Sequence, residues 1–259
     1  MFIEIFITLC VLFFISVWFY SMRRDSIELL QVEYTNSLAT LHDLLKESQP
    51  IIVRGCPIPP ILGSKALAEV PRLNGFPLQE SYTLQTYRTH PEVVCPDTQG
   101  AGIPILEEIA GRTLAKELSI DTWMHFTYSE FMVELSGYFS VLKSFRTRVV
   151  LGSYGMVRPS SLYTCILVTE GIYIVSLVNK RSENFLPKDW YSKYPSSLTL
   201  NDTPLVGEIQ FIDVILRPGT MIVIPAHCIY SLSLQTPGQF ASAVVHELDS
   251  PISNLAHLF

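Results

Sequence analysis

Four runs rich in β-branched and aromatic residues, all between Leu151 and Leu234, constrain this chain more than any other feature. Leu162–Leu167 (LYTCIL) and Gly171–Val178 (GIYIVSLV) flank the turn Val168-Thr169-Glu170. Ile209–Leu216 (IQFIDVIL) and Thr220–Ile224 (TMIVI) flank Arg217-Pro218-Gly219. Ile, Val, Tyr and Phe suit a pleated, partly buried surface. A Pro-Gly pair suits a tight reversal, since Pro presets φ and Gly tolerates φ > 0. Between the two pairs lies a polar connection, Ser182–Thr203, punctuated by Pro187 and Pro195 and carrying Trp190. Two hairpins separated by a long loop and closing over each other predict a small double-sheet barrel of jelly-roll type.

Three segments in this order resemble the JmjC-like branch of the cupin superfamily. The first is Gln49-Pro-Ile-Ile-Val-Arg-Gly55, similar to a strand near the start of those domains. The second is Leu151-Gly-Ser-Tyr-Gly-Met-Val, placed where the family enters its first metal-bearing strand. The third is Leu216-Arg-Pro-Gly-Thr-Met-Ile-Val-Ile-Pro-Ala-His227, similar to the family's L-x-P-G-D-x-L-x-I-P-x-G strand pair. The resemblance implies a mainly β fold with flanking α-helices, a double-stranded β-helix over residues 49–248 with a helical insert at about 103–142.

The resemblance also implies where iron and 2-oxoglutarate would be held, and there the chain departs from the pattern. A non-haem Fe(II) site takes two His and one carboxylate on one face. The positions expected for the first His and its carboxylate hold Arg158 and Ser160, and the second His position holds Tyr230. The basic residue that often holds 2-oxoglutarate would fall near Tyr173. His227 is the candidate residual ligand, although it precedes the expected position. Arg158 has two readings, a clamp for an acidic co-substrate or a fixed cation replacing the metal's charge. The other candidate ligands are weaker. His90-Pro91-Glu92 is an H-x-E far upstream, His125 lies in the helical insert, and His246-Glu247 are neighbours in a strand and face opposite ways. Neither a nucleophile elbow nor a phosphate loop is present; Ser153 in Leu-Gly-Ser-Tyr-Gly falls one residue short of G-x-S-x-G.

The first twenty residues, MFIEIFITLCVLFFISVWFY, are apolar apart from Glu4, Thr8 and Ser16. That length approaches the ~20 residues that a bilayer core requires. Trp18-Phe19-Tyr20 suit an interfacial belt, and Arg23-Arg24 beyond them suit the positive-inside rule. The expectation is a single transmembrane helix over residues 1–22, in contact with lipid, with the remaining chain on the cytoplasmic side. The five cysteines have irregular spacing and no C-x-x-C pair, in keeping with a reducing compartment. A net charge of −6 argues against nucleic-acid binding.

Elsewhere the pattern predicts a helical linker over 23–48, capped at Asn36 or Ser37, and a short strand at Ile51–Val53. It further predicts a strand at Tyr82–Arg88, helices over Ile103–Leu118 and Ser129–Leu142, a last strand at Gln239–Glu247 and a short tail, 249–259. Trp123, Phe126, Tyr128 and Phe131 are expected in the core. Two functions follow. The first is a membrane-anchored, non-catalytic barrel without cofactor, acting as a structural or protein-interaction module through exposed loop 182–203, with a homodimer implied by resemblance. The second is an Fe(II)/2-oxoglutarate oxygenase with displaced ligands.

Overall fold

The structure is a computed structural model and describes residues 2–21, 26–79, 82–94, 104–136, 143–250 and 253. Arg23, Arg24, Cys95 and most of the tail lie outside the described residues, as do the side chains of Asn36, Ser37 and His42.

Eight strands form the barrel: β5 (Ser144–Leu151), β6 (Tyr154–Val157), β7 (Tyr163–Glu170), β8 (Tyr173–Val178), β9 (Phe211–Leu216), β10 (Met221–Pro225), β11 (Tyr230–Leu234) and β12 (Ser242–Asp249). They divide between two sheets. The larger has the order β1-β2-β10-β7-β12-β5, with β1 at Leu30–Glu33 and β2 at Ile51–Arg54 added at one edge; the smaller is β6-β11-β8-β9. Strands successive in the chain therefore alternate between sheets, apart from β8 and β9, the strand order of a jelly roll or double-stranded β-helix.

This topology corrects the hairpin reading. The four runs are strands, but β7 does not pair with β8, nor β9 with β10. Instead β7 pairs with β10 (Ile166↔Ile222) and β8 with β9 (Val175↔Val214), so that the whole segment is one long hairpin folded across both sheets. The first reversal falls at Gly171, two residues later than expected. Gly171 has φ +81°, and a Cβ there would lie 2.6 Å from that of Ala241, so both conformation and space demand glycine. The Pro218-Gly219 reversal lies where the sequence puts it, with Thr220 N–H donating to Arg217 O at 2.9 Å.

Three apolar layers result. Between the sheets lie Val150, Ile166, Val168, Tyr173, Val175, Leu177, Ile222, Ile224, Leu232 and Val245, filling the barrel interior. The outer face of the larger sheet carries Val149, Leu151, Val244 and Leu248. It is covered by α6 (Glu108–Glu117), α7 (Ile120–Thr127) and α8 (Ser129–Ser136), through Leu114, Met124 and Phe131. Because β12 is central in its sheet and covered on both faces, nearly all its residues are buried and the polar-out half of the alternation disappears. Tyr128 and Phe131 are fully buried as expected, whereas Phe126 is 76% exposed.

The third layer concerns the connection between β8 and β9. Expected as an exposed loop, it folds over the outer face of the smaller sheet, where Leu186, Trp190, Leu198 and Val206 pack with Met156, Val178 and Ile229. It also closes that sheet's edge. Met156 N–H donates to Lys193 O at 2.7 Å, and Ser192 N–H donates to Met156 O at 3.1 Å. A side chain at Gly155 would overlap the Ser192 carbonyl, so this glycine admits the strap. Lys193 Nζ ties the segment together at 2.7 Å from Asp189 and 2.6 Å from Asp202. The Lys193 contact holds the Asp202 carboxyl down at about 2.

Two local expectations fail. The linker is not wholly helical: β1 pairs parallel with β2, and α2 (Tyr34–Lys46) starts at Tyr34, before the expected caps. Tyr82–Arg88 is a two-residue strand followed by α4 (Leu84–Thr89), because Thr83 Oγ1 accepts from Thr86 N–H at 3.3 Å and starts a helix. Phe2–Ser21 is one 20-residue helix, α1, with Ile3, Phe6, Leu9, Leu12 and Phe14 exposed. Among the described residues, no helix is long and apolar enough to cross a membrane.

Candidate functional site

Tyr230, the residue at the expected second His position, opens β11 and faces the barrel interior. Its hydroxyl accepts from Tyr154 O–H at 3.0 Å, and the rings meet edge to face at 5.9 Å. Arg148, from β5, lies over the Tyr154 ring at 5.6 Å, and its Nε is 3.6 Å from Glu247 Oε1 on β12. One step further along the same strands, Arg146 Nε lies 2.6 Å from Asp249 Oδ2. Burial pushes the Tyr230 hydroxyl well above the usual phenol range, with the neighbouring Tyr154 adding to it. Burial likewise raises Tyr154, against the lowering field of Arg148. Both phenols therefore stay protonated, as hydrogen-bonding groups and not as phenolate ligands.

Arg158 is elsewhere. Its guanidinium lies 2.7 Å from Glu183 Oε2 and 5.9 Å from the centre of the Trp190 ring, on the outside, with the side chain 45% exposed. Neither a co-substrate clamp inside the barrel nor a buried replacement for a metal fits that placement. The more buried of the two cations on the interior face is Arg148, which the sequence reading did not assign to the site. The signal that could have found it is the parity of β5, where Arg146 and Arg148 share the interior face with Val150.

His227 and the β6–β7 connection do come together. His227 adopts a left-handed backbone with φ 60°, and its N–H donates to Pro159 O at 2.9 Å. Ser160 is half-buried in the same connection. Tyr173 does not join them. It pairs with Leu234 while Tyr230 pairs with Leu177, so four residues of strand, about 13 Å, separate the two tyrosines. Tyr173 is fully buried and plugs the opposite end of the interior.

The remaining candidates are dispersed. His90 and Glu92 pair with each other on the surface at 3.3 Å. His246 faces the outer helices, its Nδ1 2.7 Å from Thr147 Oγ1 and its ring stacked on Phe145 at 5.2 Å. Burial, with the nearby His125, lowers His246 to about 4 and keeps it neutral. A pocket of about 400 Å³ lies beside it, lined by Arg112, Lys116, Asp121 and His125. Cys56 and Cys165 are buried thiols, each pushed up to about 12 by burial. Among the described residues, no three His, Cys, Asp or Glu side chains are grouped closely enough to hold a metal ion. The residues grouped around Tyr230 are Tyr154, Arg148 and Glu247, which do not fit a two-His, one-carboxylate iron site.

The class is thus a cupin-like double-stranded β-helix, carried by the strand order. Solved structures with which it shares a likeness include protein NMB1881 from Neisseria meningitidis, at 17% identity and TM-score 0.25, covering 40% of this chain and 74% of that one. A cupin-2 domain-containing protein from Shewanella frigidimarina is similar at 12% identity and TM-score 0.24, over 40% and 69%. The non-haem α-ketoglutarate-dependent epimerase SnoN of nogalamycin biosynthesis is similar at 11% identity and TM-score 0.47, over 83% and 84%. No protein-family model and no curated protein matches the sequence.

Proposed function

We propose that this chain is a membrane-anchored, non-catalytic barrel that serves as a structural or protein-interaction module. The observation that carries the reading is the Tyr154–Tyr230 hydrogen bond at 3.0 Å beneath Arg148. Two neutral phenols and an arginine paired to Glu247 fill the interior where an oxygenase would need neutral imidazoles, a free carboxylate and open coordination positions. The anchor is supported by α1, whose described side chains from Ile3 to Ile15 are mostly apolar and exposed, a surface that water does not favour. An anchor confines the barrel to one membrane and raises its effective concentration toward partners there. Tyr191, Leu200 and Leu205, exposed on the strap between β8 and β9, are the apolar surface on which such partners would act.

The test is metal analysis of the full chain purified in detergent without chelator, with anaerobic calorimetric titration of Fe(II) and 2-oxoglutarate. The expected result is sub-stoichiometric metal and no saturable heat from either. One equivalent of metal, lost in His227→Ala, would overturn the non-catalytic reading in favour of an oxygenase with displaced ligands.

A further inference from the structure

The side of the barrel where the two sheets do not meet carries a pocket with a composition of its own. It is lined by β9, one end strand of the smaller sheet, and by β2 of the larger one. The pocket has a volume of about 870 Å³. Its floor is Ile52 and Val214, members of the interior layer, and its lip includes Leu29 and Ile215, the latter 54% exposed. Arg54 and Arg217 stand exposed at its rim. The carboxylate in the lining, Asp213, accepts a hydrogen bond from Ser176 Oγ at 2.6 Å. Glu33 lies against Gly55 and offsets part of the arginine charge.

The chain leaving α1 is fastened at this same side. Gln49, buried between the segments, donates from Nε2 to Ser26 O at 3.1 Å and accepts from Glu28 N–H at 2.9 Å. Ile27, between them, packs onto the interior layer. From Ser21, the last residue of α1, to Ser26 is five residues of chain, which reach at most about 18 Å. If α1 lies in a bilayer, the pocket is held close to the surface of that bilayer.

An apolar floor that opens past two guanidinium groups suits an amphiphile with an anionic head. Arginine recognises phosphate with a fork of N–H donors, and each cation near an anionic surface adds to the attraction. We propose that the β2/β9 gap docks anionic phospholipid of the membrane that holds α1, turning this side of the barrel toward the bilayer. The proposal rests on the anchor reading above, and its test separates the two.

The full chain carrying a photo-crosslinking amino acid at position 215 is reconstituted into phosphatidylcholine vesicles with and without phosphatidylserine, irradiated, floated after alkaline extraction and analysed by mass spectrometry. The expected result is lipid adducts that need phosphatidylserine and fall about tenfold in R54E/R217E, with flotation unchanged. Flotation without lipid adducts, or equal adducts in phosphatidylcholine alone, would overturn the docking site and leave the anchor standing. An adduct to protein in place of lipid would overturn it in favour of a protein interface. Loss of the chain from the floated fraction would overturn the anchor, and the docking site with it. Circular dichroism of R54E/R217E, matched to the parent, excludes unfolding as the source of the loss.

Discussion

Strands β5 and β12 present two different environments from adjacent residues. On the inner face, Arg146 and Arg148 meet Glu247 and Asp249, with Tyr154 and Tyr230 beside them. On the outer face, one residue along, His246 pairs with Thr147 and stacks on Phe145 beneath the helices. The inner side sets two guanidinium groups against two carboxylates. On the outer side His246 is kept neutral by burial, with His125 nearby. Because successive strand residues alternate faces, a one-residue slip in pairing would exchange the two sets and leave both uncompensated. The comparison shows that the interior opposes cations to carboxylates across β5 and β12, while the outer face buries a neutral imidazole.

The largest effect is expected inside. Arg148→Leu leaves Glu247 without its main interior counter-charge and should lower unfolding stability by about 3 kcal/mol in urea titration. The double change Arg148→Leu/Glu247→Leu should recover most of that loss, because a matched apolar pair carries no desolvation penalty. A double variant as unstable as the single one would show that the pair is not the source.

The outer face should dominate the acid response. His246 is lowered from an ordinary 6.5 to about 4 in the folded chain. The unfolded chain therefore binds the extra proton first, so the stability His246 confers is present above pH 6.5 and is lost as pH falls through about 4. That difference is on the order of 3 kcal/mol between neutral and acid limits. Stability measured against pH should flatten over this window in His246→Leu; an unchanged slope would place the acid sensitivity elsewhere.

The smallest effect is expected at the shared hydroxyl. Tyr230→Phe removes one buried O–H···O bond and should cost about 1 kcal/mol, with no change in metal content. A loss several times larger would mean that the phenol pair, and not the ion pair, organises the inner face.

Parts of this were legible from residue pattern. The four β-rich runs, the Pro218-Gly219 reversal and the closing strand are where composition and turn chemistry put them. The pairing was not, because a reversal at Gly171 looks the same whether two strands join in one sheet or separate into two. The strap between β8 and β9 was misread for a related reason. Its polarity comes from residues that satisfy one another, such as Lys193 with Asp189 and Asp202, while Trp190 and Leu198 pack inward. In the candidate site, Tyr230 and Tyr173 both face the interior but belong to opposite ends of the barrel. Arg158 was named where Arg148 does the work.

By itself, then, the sequence determined which of the barrel segments extend and, within a residue or two, where the chain reverses. Those are local matters of β-propensity, backbone freedom and side-chain chemistry. Only the tertiary structure decided which arginine enters the barrel, which face His246 occupies and what covers the smaller sheet. Each depends on strand parity relative to a register set between residues far apart in the chain, and no short window of sequence contains that register.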